Sequence, residues 1–126
     1  MTSCDERILF DYIDVINYIT NLEDFFKIDN CFIYIYSESC RHCEAIKQVV
    51  LKSRLEKNHP IYFIPYDNSI PIISDKDLMI GVDKYEDVGI VGVPSLFILE
   101  DKKITSYLVG GGDIVSYLEN LRPIPS

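Results

Sequence analysis

The chain has 126 residues, of which 48% are hydrophobic and 25% are charged, a composition typical of one globular domain. Its formal net charge of −8 repels the phosphates of nucleic acids and of anionic lipids, so we expect no nucleic-acid partner and no membrane partner. No apolar stretch of the sequence approaches the roughly 18 residues that span a bilayer. We therefore expect a single domain over residues 1–126, present as a monomer.

The N-terminal segment MTSCDERILFDYID lacks the basic region followed by an apolar region that marks a secretory signal. We therefore expect a cytoplasmic location, with a trimmed secreted chain as the alternative. Farther along, YIDVINYI predicts a first strand and NLEDFFKI predicts a short helix. A single longer helix over residues 11–28 is the competing interpretation.

The clearest pattern in the chain is a strand–helix–strand unit. CFIYIY (31–36) is a continuous apolar run, which is typical of a strand buried on both faces. Apolar residues then recur at helical spacing, with Ser37 or Ser39 as the expected N-cap and Pro60 preventing continuation. PIYFIPY (60–66) predicts the next strand, so the unit has βαβ connectivity.

The second half of the chain begins with a weaker pattern. Residues 67–88 carry turn residues, Asp67 among them, and a short helix is predicted around 83–88. SLFILEDKKITSYLV then predicts an antiparallel hairpin that turns at Glu100–Lys103, and GGGDIVSYLENLRP predicts a final helix. This order of elements predicts an α/β sandwich with a mixed sheet.

Cys40 and Cys43 lie three residues apart, where the buried strand gives way to the helix. A helix N-terminus presents free N–H groups and about half a positive charge, which favours a thiolate over a thiol. The three-residue spacing places both Cβ atoms on one side of the helix, near the distance of a disulfide. An exposed first sulfur and a shielded second one meet the requirement for thiol–disulfide exchange, with Cys40 as nucleophile and Cys43 as resolving thiol.

The two residues between the cysteines bear on this chemistry. Arg41 and His42 both donate hydrogen bonds, so we expect them to stabilise the Cys40 thiolate, and a stabilised reduced form makes a disulfide a stronger oxidant. Glu38 and Glu44 oppose this effect as nearby negative charges. Because the helix end and the intervening side chains act at shorter range, we expect the thiolate to be favoured on balance.

Two other roles of the cysteines compete with electron transfer. One is a pair of helix-end cysteines without turnover, and the other is a zinc site. Zinc normally takes four ligands, and the chain has no second Cys-x-x-Cys and no paired His. Cys31, His42 and His59 are too scattered to define a site, so we expect no metal. Cys31 is expected to be a small core residue, and Cys4 an incidental thiol.

The succession of strand, Cys-x-x-Cys, helix, strand and a later Gly-Val-Pro resembles the thioredoxin superfamily. The resemblance covers roughly residues 13–121 and is closest in FIYIYSESCRHCEAIK and VGIVGVPSLFILEDKKITSYLVGGG. It implies a three-layer sandwich, in which helices flank a central mixed sheet. It also implies that the protein needs no cofactor beyond a redox-active disulfide between Cys40 and Cys43.

The resemblance further implies a substrate-binding surface beside the cysteines. Pro94 would be a cis-proline packed against the cysteine pair, and the backbone of Val93 would pair with an extended substrate. Ser39 and Gly110 would complete the contact surface. The sixteen-residue step from Pro94 to Gly110 looks like thioredoxin rather than glutaredoxin, although Gly110–Gly112 resembles a glutathione-binding Gly-Gly-x-Asp of the latter.

The chain also departs from the usual thioredoxin pattern at the motif itself. Ser39 stands where thioredoxins have Trp, and Tyr34 stands in place of a buried Asp that helps to deprotonate the resolving thiol. A His before the second cysteine, as in His42, resembles the motifs of protein disulfide isomerases and bacterial periplasmic dithiol oxidases. These departures argue against the ordinary reductant role and leave the dithiol chemistry intact.

We therefore predict a thiol–disulfide oxidoreductase whose partners are protein substrates with thiols or disulfides. A reductase of the thioredoxin-reductase type, or another dithiol donor, would restore it. Both directions of electron flow are open here, since the Arg-His dipeptide favours an oxidant and a cytoplasmic location favours a reductant. The alternative function is a thioredoxin-fold binding or accessory module with little turnover, which the long 67–88 segment favours.

Overall fold

The computed structural model describes residues 22–37 and 39–124. In chain order its elements are α1 (Leu22–Phe25), β1 (Asn30–Tyr36), α2 (Arg41–Leu55), β2 (Ile61–Pro65), two 3₁₀ helices (Lys76–Met79 and Tyr85–Asp87), β3 (Ser95–Glu100), β4 (Lys103–Val109) and α3 (Gly111–Asn120). The short helix predicted in NLEDFFKI is observed as α1, and the strand predicted in YIDVINYI lies outside the described residues. None of the helices in the described part of the chain is long and apolar enough to cross a membrane.

The four strands form one mixed sheet in the order β2-β1-β3-β4. Strand β1 runs parallel to β2 and antiparallel to β3, and β3 runs antiparallel to β4. Strand β1 lies inside the sheet, and a layer of the protein covers each face. Residues on both sides of the strand are therefore expected to be apolar. This explains the continuous run CFIYIY and confirms the predicted α/β fold with a mixed sheet.

Alternate residues of β1 face two separate core layers. Tyr34 and Tyr36 pack with the apolar residues of α2 and α3, whereas Ile33 and Ile35 pack on the other face. On that other face, the described layer consists mainly of the irregular segment 67–93 with its two 3₁₀ helices, and Phe26 after α1 joins it. The helix predicted around 83–88 is therefore a single 3₁₀ turn.

Two glycines show why this segment does not form a longer helix. Gly81 has a φ of +90°, a left-handed conformation that side-chain-bearing residues rarely adopt, and nothing occupies the space where its Cβ would stand. At Gly89, a Cβ would lie 2.5 Å from Cγ2 of Ile73, so only glycine permits this close approach. The backbone of Ile73 and Ile90 pairs at that point, which joins the two ends of the segment to each other.

His59 joins the end of α2 to the C-terminal segment. The imidazole is buried, its Nδ1 is bonded to the hydroxyl of Ser53, and its Nε2 lies 2.8 Å from the carbonyl oxygen of Arg122. A carbonyl oxygen only accepts, so Nε2 carries the proton and Nδ1 accepts from Ser53. One neutral tautomer therefore satisfies both contacts.

We expect His59→Leu to lower the free energy of unfolding by about 1–3 kcal/mol, because the buried Ser53 hydroxyl then has no acceptor. Urea denaturation measures the loss. Adding Ser53→Ala to the leucine variant should recover part of it, since both polar groups are then removed. Strictly additive losses in this double-mutant cycle would contradict the assigned hydrogen bond.

Candidate active site

Cys40 itself caps the N-terminus of α2. Its backbone is extended, with φ −90° and ψ 121°, and its Sγ accepts a hydrogen bond of 3.1 Å from the backbone N–H of Cys43. The prediction that Ser37 or Ser39 caps the helix is therefore wrong. The two serine hydroxyls lie 3.0 Å apart and bond to each other, and that of Ser37 also accepts the N–H of Ser39, in a turn that precedes the helix. Because of this turn, the Cys40 sulfur rather than a serine hydroxyl is the side-chain acceptor at the N-terminus of α2.

The second cysteine is shielded, whereas the first is accessible. Cys43 is 1% exposed, and the backbone N–H of Ser37 donates to its Sγ over 3.5 Å. The pKa of Cys43 is raised to about 12, mainly by burial and also by the contact with Cys40, against the lowering effect of the Ser37 N–H. Cys40 is only partly buried, and neither cysteine is in a disulfide. This difference in access is the one that thiol–disulfide exchange requires.

The loop before β3 lies against the sulfur of Cys40. The Val93–Pro94 peptide bond is cis, and the carbonyl oxygen of Val93 is 3.7 Å from Cys40 Sγ, which donates to it as a thiol. The backbone N–H of Gly110 donates to the carbonyl of Pro94 over 3.1 Å, and Gly110 has a φ of +92°. The fold therefore brings Val93 to the sulfur of Cys40, and Gly110 adjoins this loop through Pro94.

The remaining predicted site residues lie around this sulfur on the surface. Ser39, Arg41 and His42 are exposed. His42 lines an open groove of about 470 Å³ between α2 and α3. Within the described residues, neither Arg41 nor His42 hydrogen-bonds to Cys40, so their effect on its thiolate stays a prediction.

Residues considered for other roles lie elsewhere. Cys31 is 2% exposed in the core, where burial raises its pKa to about 12. Asp67 is a turn residue: it accepts the N–H of Ser69 over 2.7 Å and also its hydroxyl, and both bonds lower the pKa of the carboxyl. In the part of the chain that the structure describes, no three His, Cys, Asp or Glu side chains come together as metal ligands. Cys4 and Glu38 lie outside the described residues.

A role for two residues near the loop was not predicted from the sequence. Ser95 and Tyr107 are buried, and their hydroxyls bond to each other over 2.7 Å beneath the loop. A serine directly after Gly-Val-Pro, and a tyrosine in the strand that pairs with it, are the available signals. Neither signal specifies the contact, because it depends on how β3 and β4 pair.

The described fold is an α/β sandwich with an accessible cysteine at a helix N-terminus and a cis-proline loop beside it. It is similar to mitochondrial thioredoxin 3 from Saccharomyces cerevisiae, with a TM-score of 0.57 and 14% identity over 88% of this chain and 100% of that one. Thioredoxin from Aeropyrum pernix has a TM-score of 0.53 and 20% identity, with 82% of this chain and 84% of that one covered. Thioredoxin from Trypanosoma brucei brucei has a TM-score of 0.52 and 15% identity, with 81% and 86% covered.

No model of a protein family matches the chain. At the identities found, the structural likeness concerns the arrangement of the elements. The chain has a thioredoxin-like fold.

Proposed function

We propose that the protein is a thiol–disulfide oxidoreductase that acts on protein substrates through Cys40 and Cys43. The observation that supports this most is the pair's geometry. Cys40 is accessible, accepts the N–H of Cys43 and faces the carbonyl of Val93, while Cys43 is buried behind it. The protein would act as a cytoplasmic monomer, with the dithiol as its only redox group.

The proposed reduction of a substrate proceeds in two exchanges. The Cys40 thiolate attacks one sulfur of the substrate disulfide, so a Cys40–substrate bond forms, the substrate's S–S bond breaks, and the released sulfur takes up a proton. Cys43 then loses its proton and attacks the sulfur of Cys40, which forms the Cys40–Cys43 disulfide and releases the second substrate thiol. Two electrons have passed to the substrate, and a dithiol donor, such as a reductase of the thioredoxin-reductase type, restores the protein. The same steps in reverse oxidise a substrate dithiol.

The surroundings of Cys40 would hold the substrate during these steps. The backbone of Val93 lies at the sulfur and would pair with an extended substrate, next to Pro94 and Gly110. Ser39 is exposed at the edge of this surface. The exposed Arg41 and His42 would stabilise the thiolate and contact the partner.

Reduction of insulin by dithiothreitol tests the proposal. The wild-type protein should accelerate the precipitation of the insulin B chain, and Cys40→Ser should return the rate to that of dithiothreitol alone. A wild-type protein without acceleration, or acceleration that persists in Cys40→Ser, would refute the proposal. The reduction potential of the pair then gives the direction: about −270 mV assigns a reductant and about −120 mV an oxidant.

A binding module is the second candidate, and one observation favours it. Large apolar side chains are exposed along the irregular segment, with Ile72 at 62%, Leu78 at 61% and Ile80 at 52%. Such side chains mark contact surfaces when they cluster. A module of this kind would hold a partner protein and show no thiol-dependent turnover of insulin.

A further inference from the structure

Two buried hydroxyl groups, those of Ser95 and Tyr107, form hydrogen bonds with the loop that carries Val93. Ser95 is 0% exposed and Tyr107 is 4% exposed. The hydroxyl of Ser95 donates to the carbonyl of Gly92 and lies 2.7 Å from the phenol oxygen of Tyr107. The backbone N–H of Val91 donates to that same phenol oxygen over 2.9 Å. These bonds tie Val91 and Gly92, the two residues that precede Val93, to strands β3 and β4.

The direction of each proton follows from the partners. The carbonyl of Gly92 only accepts, so it takes the one proton of Ser95. The N–H of Val91 only donates, so Tyr107 accepts there and gives its own proton to Ser95. Burial raises the pKa of Tyr107, which keeps the phenol protonated as this arrangement requires. The hydroxyls of Ser95 and Tyr107 then each donate one hydrogen bond and accept one.

The phenol is itself fixed in place. Its ring stacks on that of Phe97, with centroids 4.3 Å apart and an interplanar angle of 30°. Phe97 and Tyr107 are opposite each other in the β3–β4 pairing, so the sheet fixes the position of the Tyr107 hydroxyl. The Tyr107 hydroxyl therefore attaches the loop, which has no secondary structure of its own, to a fixed point on the β3–β4 pair.

We propose that Tyr107 and Ser95 position the backbone of Val93 against Cys40, and that this sets how well the protein engages an extended polypeptide substrate. The inference rests on the proposed function. Both residues act through the loop, whose Val93 carbonyl is 3.7 Å from the reacting sulfur. They are positioning residues, because their own hydroxyls are buried beneath the loop.

The test uses Tyr107→Phe, which keeps the stacked ring and removes the hydroxyl. We expect kcat/KM for insulin to fall about tenfold, mainly through a higher KM, because the loop loses its defined position. The rate with 5,5′-dithiobis(2-nitrobenzoic acid), a small disulfide without a backbone to pair, should stay within about twofold. Hydrogen exchange of the Val91 amide should rise about tenfold or more, while that of Ile33 in β1 stays unchanged.

Two further variants separate positioning from general instability. Ser95→Ala should shift the insulin kinetics in the same direction as Tyr107→Phe. Tyr117→Phe, which alters a tyrosine of α3 on the other face of the sheet, should leave both substrates unaffected. Equal losses with both disulfides, or unchanged insulin kinetics in Tyr107→Phe, would overturn the inference alone. A wild-type protein inactive toward both disulfides would overturn the proposed function, and the inference with it.

Discussion

A Cys43→Ser variant should accumulate covalent complexes with substrate proteins through Cys40, and its turnover of insulin should fall at least about a hundredfold. The first exchange needs only the accessible Cys40, so it proceeds in the variant. The second exchange needs a sulfur behind Cys40, and a serine hydroxyl does not attack a disulfide under these conditions. The reaction therefore stops at the mixed disulfide, which a non-reducing gel shows as bands that disappear on reduction.

Matched cysteine variants make this result specific. Cys40→Ser/Cys43→Ser should trap nothing, because the nucleophile is absent. Cys31→Ala combined with Cys43→Ser should trap as much as Cys43→Ser alone, since Cys31 is 2% exposed in the core. Mass spectrometry identifies the linked cysteine. Complexes joined through a cysteine other than Cys40, or none even with a model disulfide, would contradict the assigned roles.

The resolving exchange should accelerate about tenfold for each pH unit between pH 7 and pH 9. Burial raises the pKa of Cys43 to about 12, so over this range its thiolate is a minor form that increases tenfold with each unit. Burial is the largest cause of the shift and persists in the mixed disulfide, whereas the contact with a Cys40 thiol does not. Since the thiolate is the attacking species, the rate rises with pH.

Stopped-flow spectroscopy measures this step directly. A mixed disulfide of Cys40 with 2-nitro-5-thiobenzoate releases its coloured thiolate when Cys43 attacks the sulfur of Cys40. The same adduct on Cys43→Ser is the control, and it should release nothing at any pH in this range without added thiol. A rate that does not change between pH 7 and pH 9 would contradict a raised pKa of Cys43 in the mixed disulfide.

The elements with strong local patterns were predictable from the sequence. The run CFIYIY specifies a strand with two buried faces because no polar residue interrupts it, and β1 is the interior strand that this requires. The hairpin turn was also placed correctly, at Asp101 and Lys102 between β3 and β4. These residues have φ angles of 54° and 65°, as a two-residue hairpin turn of type I′ requires, although neither is glycine.

The contacts that shape the candidate site were harder to predict, for physical reasons. Serine is a better N-cap than cysteine by general preference, yet the turn at Ser37 places the cysteine sulfur at the helix end. The approach of Val93 to Cys40 joins residues 53 positions apart, which no local periodicity encodes. It was expected only from the resemblance of the motifs. The layer formed by residues 67–93 lacked a pattern because close backbone contacts, rather than a repeating apolar face, hold it.

The cap at the start of α2 makes the state of the dithiol observable. The N–H of Cys43 donates to the sulfur of Cys40, so it senses every change in the charge and bonding of that sulfur. A thiolate, a thiol, a mixed disulfide and an internal disulfide differ as acceptors, and an amide proton's chemical shift depends on the strength of its acceptor. The Cys43 amide resonance is therefore an internal reporter that follows each stage of the exchange without an attached chemical probe.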